Sequence, residues 1–172
     1  MKELAIDEPP MTRATASAIH GTTVRDVMRI QMVTVVPEMT VRELAQTLLE
    51  SGVRAAPVLD PTGKILGVAS QVEVTRLTLG EWPVSPHANG NGDGRHSVSS
   101  TESDGAESPL DRLRVRDVMS PVGPTVSPDE SVKRLVSRFV REQLKRALVV
   151  ENGMLLGIVA PIDVLGAIDE VG

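Results

Sequence analysis

The apolar residues of the chain follow two spacings that alternate along it, one extended and one helical. Thr34-Val35-Val36 is a short extended run stopped by Pro37. Beyond it, Val41, Leu44, Ala45, Leu48 and Leu49 recur three and four residues apart, which puts them on one helical face. Thr40, with Glu43 three residues on, forms a capping box that starts this helix, and Gly52 closes it. Ala55 to Leu59 and Ile65 to Ala69 are short apolar runs joined by Asp60-Pro61-Thr62-Gly63, which predicts a β-hairpin. Ser70 then opens a second helix that runs to about Leu79.

The same order returns downstream. Thr125-Val126 reads as a strand, and Val132, Leu135, Val136, Phe139 and Val140 as the inward face of a helix. A hairpin follows across Glu151-Asn152-Gly153, and a last helix begins at Pro161, a residue suited to the first helical position. The likeness extends to letters: Val24-Arg25-Asp26-Val27-Met28 recurs as Val115-Arg116-Asp117-Val118-Met119, an offset of 91. That offset aligns Pro37 with Pro128, Val41 with Val132, Leu44 with Leu135 and Val58 with Val149. It slips to 90 after the hairpin turn, so Leu66-Gly67 matches Leu156-Gly157, and a turn is where two copies of one fold tolerate an indel.

Between the copies, Ser85 to Pro109 holds only three aliphatic residues, Ala88, Val98 and Ala106, too few to offset the cost of ordering the chain. The chain therefore divides into a tail (1–21), a first repeat (22–80), a flexible linker (81–112) and a second repeat (113–170). With one Trp, one Phe and no Tyr, the core must be aliphatic, and the chain is poorly supplied for a base-stacking nucleic-acid platform. A net charge of −5 also argues against a nucleic-acid partner. No Cys means no disulfide, thiolate metal site or cysteine nucleophile, and a cytoplasmic location is expected. No apolar run is long enough to span a membrane. His20, His87 and His96 fall in the tail or linker, so no core element offers a catalytic base, and an enzyme is not expected. Asn89-Gly90-Asn91-Gly92-Asp93-Gly94 echoes a calcium loop but has Ser100 where a bidentate Glu is required.

A β-α-β-β-α unit opened by VRDVM, occurring twice and ending each time in a Gly and an acid before a helix, resembles the CBS (cystathionine-β-synthase) domain. A tandem pair of these is known as a Bateman module. The resemblance implies an α/β (α+β) fold in which the two repeats pack sheet to sheet with pseudo-twofold symmetry. It also implies two clefts for adenosine-containing ligands (AMP, ADP, ATP or S-adenosylmethionine) and association into a homodimer.

The family's ligand signature, Gly-h-h-(Ser/Thr)-x-x-Asp, assigns ribose hydroxyls to the Asp and a phosphate to the hydroxyl. Here it is split: Gly67-Val68-Ala69-Ser70-Gln71-Val72-Glu73 keeps the hydroxyl, and Gly157-Ile158-Val159-Ala160-Pro161-Ile162-Asp163 keeps the Asp. By the resemblance, the cleft of Asp163, with Ile158 and Ala160, draws base contacts from Ile30, Gln31, Met32 and Val33 and from Val53 and Arg54. The cleft of Glu73 would draw on Pro121 to Pro124 with Leu144 and Lys145, but Pro124 lacks an N–H to offer a base. Arg54, Lys145 and Arg146 could reach phosphates.

Two readings stay open for these residues. Ser70 and Glu73 also satisfy a capping box without any ligand, and Asp163, read as an exposed first-turn carboxylate, would gain about 0.3–1 kcal/mol from the helix dipole alone. The chain is thus expected to be a regulatory module that binds an adenosine-containing ligand and signals through dimer geometry. The alternative is a ligand-free CBS module for structure, dimerisation or docking to an unidentified protein partner.

Overall fold

The computed structural model describes residues 21–80 and 108–169, the last of these by its backbone. Residues 1–20 of the tail, most of the linker, all three histidines and the calcium-loop echo lie outside the described residues. The elements in chain order are α1 (Val24–Val27), α2 (Val41–Glu50), β1 (Ala55–Leu59), β2 (Ile65–Ser70), α3 (Gln71–Thr78), α4 (Pro109–Arg112), α5 (Val115–Val118), β3 (Thr125–Val126), α6 (Val132–Arg141), β4 (Ala147–Glu151), β5 (Met154–Val159) and α7 (Pro161–Asp169). β1 and β2 form an antiparallel pair, from Ala55 opposite Ser70 to Val58 opposite Gly67. The other sheet has the order β3-β4-β5, with β3 parallel to β4. The fold is therefore a mixed α/β one, with helices and two small sheets.

Local chemistry explains the boundaries. Thr40 and Glu43 make the expected capping box: the Glu43 carboxylate accepts from the Thr40 main-chain N–H at 2.7 Å, and the Thr40 hydroxyl accepts from Glu43 N–H at 3.1 Å. Gly52, with φ 66°, takes the left-handed position that ends α2. In the first hairpin, one Asp60 oxygen accepts from Thr62 N–H at 2.8 Å and from Lys64 N–H at 3.0 Å. The strand expected at Thr34-Val36 is reduced to Val35, bridged in parallel to Val58, because Pro37 cannot extend the ladder.

The chain divides into two compact units that do not coincide with the sequence repeats. Among the described residues, one takes those up to Ile30, Pro124–Glu151 and those from Leu156 on, and the other takes those between Gln31 and Gly123 with Asn152–Leu155. Each VRDVM segment thus sits with the sheet of the other copy. In the first unit Val24 and Val27 join Val126, Leu135, Phe139, Val149 and Val159 in one core. Val24 N–H donates to the Glu130 carbonyl and Arg25 N–H to that of Pro128, both at 2.9 Å. In the second unit the equivalent bonds run from Val115 N–H to Met39 O (2.8 Å) and from Arg116 N–H to Pro37 O (3.1 Å). There Val115 packs with Val35, Leu44, Leu48, Val58 and Ala69, and Val118 with Val41, Leu77 and Leu113. A four-residue helix cannot persist by itself, so the burial of two valines, about 1.5–3 kcal/mol each, holds each segment in place.

Two expectations are corrected. The stretch given to the linker, to residue 112, ends in a packed turn: Ser108 caps α4, Leu110 packs against the Val41 cluster and Asp111 takes Arg42 through two bonds of 2.5 and 2.9 Å. Val136 and Val140, expected on an inner face, are 36% and 73% exposed, as Leu49 is at 77%. The face that α2 and α6 bury is narrower than the apolar stripe in their sequences.

Candidate functional site

Both signature segments lie where a strand ends and a helix begins. In the first unit, β5 runs through Gly157, Ile158 and Val159 into Ala160, and α7 starts at Pro161 as expected. Arg29, the first residue after VRDVM, forms an antiparallel bridge with Ile158: Arg29 N–H donates to Ile158 O at 2.9 Å and Ile158 N–H to Arg29 O at 3.0 Å. From that anchor the Arg29 guanidinium donates through Nε to Asp163 Oδ1 at 2.5 Å, and Ala160 N–H donates to Oδ2 at 2.8 Å.

The expectation that Asp163 is an exposed carboxylate is therefore overturned. Its side chain is only 6% exposed, while that of Arg29 is 65% exposed. Such a carboxylate needs its cation, because losing it would leave a charge out of water with one backbone donor.

The second unit repeats the arrangement with other residues. Ser120, equivalent to Arg29, bridges Val68 through two bonds of 2.9 Å. The Ser120 hydroxyl donates to Glu73 Oε1 at 2.8 Å. Glu73 Oε2 accepts from Ser70 N–H at 2.9 Å and from the Ser70 hydroxyl, whose oxygen also accepts from Val72 N–H at 3.2 Å. The Ser70 hydroxyl is thus spent on the capping box. In one unit a long cation meets a short acid, and in the other a short hydroxyl meets a long acid, so the reach is conserved while the net charge is not.

The remaining predicted residues are found as follows. Ile158 has its N–H and C=O committed to Arg29, and Ala160 binds Asp163 both through its N–H and, at 3.0 Å, through its carbonyl. Ile30 is 71% exposed, Gln31 is exposed, and Met32 and Val33 are half-buried. The main chain of Ile30 to Val33 forms no hydrogen bond among the described residues. Val53 bonds Leu48 O, Arg54 O accepts from Gln71 N–H, and the side chains of Arg54, Lys145 and Arg146 are exposed without an ion pair among the described residues. Pro124 has a partner for its carbonyl in Leu148 N–H, at 3.0 Å.

Arg29 and Ser120 were missed in the sequence. The available signal was their equivalence at offset 91, directly after VRDVM, combined with the matching exchange of Asp163 for Glu73.

Two copies of one strand-helix-hairpin-helix order, each with a glycine-to-acid turn at its end, define a tandem repeat protein. The chain belongs to the CBS domain family, whose model matches residues 24–80 and 115–170. It is similar to the CBS domain of a CBS domain-containing membrane protein from Sphaerobacter thermophilus (25% identity, 90% of this chain and 93% of that one, TM-score 0.61). It is also similar to CBSX2 solved in complex with AMP (22% identity, 88% and 98%, TM-score 0.60). A third similar structure is the CBS domain of the bacterial CNNM/CorC family Mg2+ transporter in complex with ATP (21% identity, 90% and 92%, TM-score 0.60). No curated protein matches the chain. No helix among the described residues is long and apolar enough to cross a membrane.

Proposed function

We propose that the chain is a regulatory module, not an enzyme, that binds an adenosine-containing ligand (AMP, ADP, ATP or S-adenosylmethionine) with residues of both CBS repeats and acts as a cytoplasmic homodimer. The observation that carries the reading is the tandem CBS pair, together with the AMP and ATP held by two similar structures. The unbonded main chain of Ile30 to Val33 supports it, since a purine edge needs free N–H and C=O groups. Asp163 is the acid for the ribose hydroxyls. Each of its oxygens now accepts one bond, and a carboxylate has room for about four.

Calorimetry with the four ligands tests this. One site per chain is expected, lost in Asp163→Asn and kept in Glu73→Gln. Absence of heat with all four overturns ligand binding.

A second reading, a ligand-free module for dimerisation or docking to a protein partner, is favoured by one fact. Both signature acids already hold donors from their own chain, Arg29 and Ser120. Under that reading Arg29→Ala lowers stability and exposes no binding; under the first, it changes affinity as well.

A further inference from the structure

The cation on Asp163 is not something the turn requires. In the second unit the equivalent acid, Glu73, is held by the Ser120 hydroxyl at 2.8 Å, by the Ser70 hydroxyl and by Ser70 N–H at 2.9 Å, and no cation joins them among the described residues. Arg29 in the first unit therefore calls for a reason beyond neutralising its acid.

Arg29 is held at both ends. Its main chain exchanges two hydrogen bonds with Ile158, at 2.9 and 3.0 Å, and its Nε donates to Asp163 Oδ1 at 2.5 Å. Nη1 and Nη2 donate to nothing among the described residues, and the side chain is 65% exposed. That leaves free the edge of a guanidinium that takes a phosphate through two parallel bonds. Asp163 is closed by comparison: its side chain is 6% exposed, with Oδ1 taken by Arg29 and Oδ2 by Ala160 N–H at 2.8 Å. Ala160 has no side-chain donor and Pro161 has no N–H, so among Arg29, Ile158, Ala160, Pro161 and Asp163 only Arg29 carries a charge that answers an anion.

Ribose hydroxyls can reach so covered a carboxylate only when Arg29 gives way. A neutral ligand then replaces a charge-assisted bond by neutral ones, about half as strong, and leaves the guanidinium without a partner. S-adenosylmethionine, which is net positive, adds repulsion. A nucleotide supplies both partners, because its hydroxyls take over Asp163 while its phosphate takes Arg29. From this we propose that Arg29 is the specificity residue of the site, exchanging Asp163 for the phosphate of an incoming nucleotide, so that adenine nucleotides are selected over adenosine and S-adenosylmethionine. The inference rests on the ligand reading above and narrows it to the phosphate-bearing ligands.

Calorimetry with AMP, adenosine and S-adenosylmethionine tests it on the full chain and on three variants whose folding is checked by thermal melts. Arg29→Gln removes the charge but keeps a donor for Asp163, Arg29→Ser brings in the residue with which the second unit already folds, and Arg29→Lys keeps the charge. The parent should bind AMP at least about tenfold more tightly than the other two ligands. In Arg29→Gln and Arg29→Ser, AMP should weaken about tenfold while adenosine holds or tightens, and Arg29→Lys should keep the preference for AMP. A purely structural Arg29 would lower both affinities together. Equal affinity of the parent for AMP and adenosine, or an AMP-to-adenosine ratio unchanged in whichever neutral variant folds, overturns the exchange. Absence of heat with AMP, ADP, ATP and S-adenosylmethionine alike overturns the ligand reading itself, and this inference with it.

Discussion

Replacing Gly157 by Ala should be costly although it adds one methyl group. A Cβ at Gly157 would lie 2.8 Å from the Arg29 carbonyl oxygen and 3.0 Å from the Met28 sulfur. The sulfur can rotate away, but the carbonyl cannot, because Arg29 and Ile158 exchange two main-chain hydrogen bonds at that point. Relief therefore requires the chain after VRDVM to lift from β5. Two bonds at about 1 kcal/mol each, with some of the overpacking strain of about 1–3 kcal/mol, give a loss of about 2–4 kcal/mol. For a chain of this length that is a fall of about 5–15 °C in midpoint, read by thermal and urea denaturation. Gly166→Ala, in the interior of α7 with nothing within 4 Å of its Cβ, is the control. It should stabilise by about 0.5–1 kcal/mol, because Ala is the better helix former. Gly67→Ala should behave like Gly157→Ala, since its Cβ would meet the Ser120 carbonyl oxygen at 2.6 Å. A Gly157→Ala protein within about 0.5 kcal/mol of the parent, the range of an ordinary surface change, would show that the Arg29 carbonyl does not hold this contact.

Two further outcomes are expected. Gln143 ends α6 with φ 51° at the position where Gly52 ends α2, so Gln143→Gly should raise stability by about 0.5–1 kcal/mol; a lower midpoint would contradict this. Carboxyl groups held below their usual range should make the protein acid-labile: Asp26 by Thr23 N–H, Glu43 by Thr40 N–H, Asp60 by the Thr62 hydroxyl, Asp111 by Arg42 and Glu142 by Arg138. Because each folded pKa is depressed, the stabilisation is complete above the unfolded values of about 4 and is lost as pH falls through the folded ones. Midpoints should therefore hold down to about pH 5 and fall below about pH 4; a midpoint unchanged to about pH 2 would contradict this.

What the sequence determined by itself is whatever its neighbours in the chain enforce. Apolar spacing placed α2, α6 and both hairpins, because each face needs only residues a few positions apart. The capping boxes at Thr40 and Ser70 were legible because donor and acceptor lie three residues apart. The repeat announced the fold because the same letters recur in the same order.

The tertiary structure decided the rest. VRDVM opens each repeat in the sequence yet folds with the opposite copy, since four residues cannot hold a helix and must find a core elsewhere. Arg29 reaches Asp163 across 134 residues and Ser120 reaches Glu73 across 47, distances at which no local pattern carries information. The Asp163 carboxylate is covered and Val140 exposed for the same reason: exposure is set by what packs against a side chain, and the sequence records only the side chain.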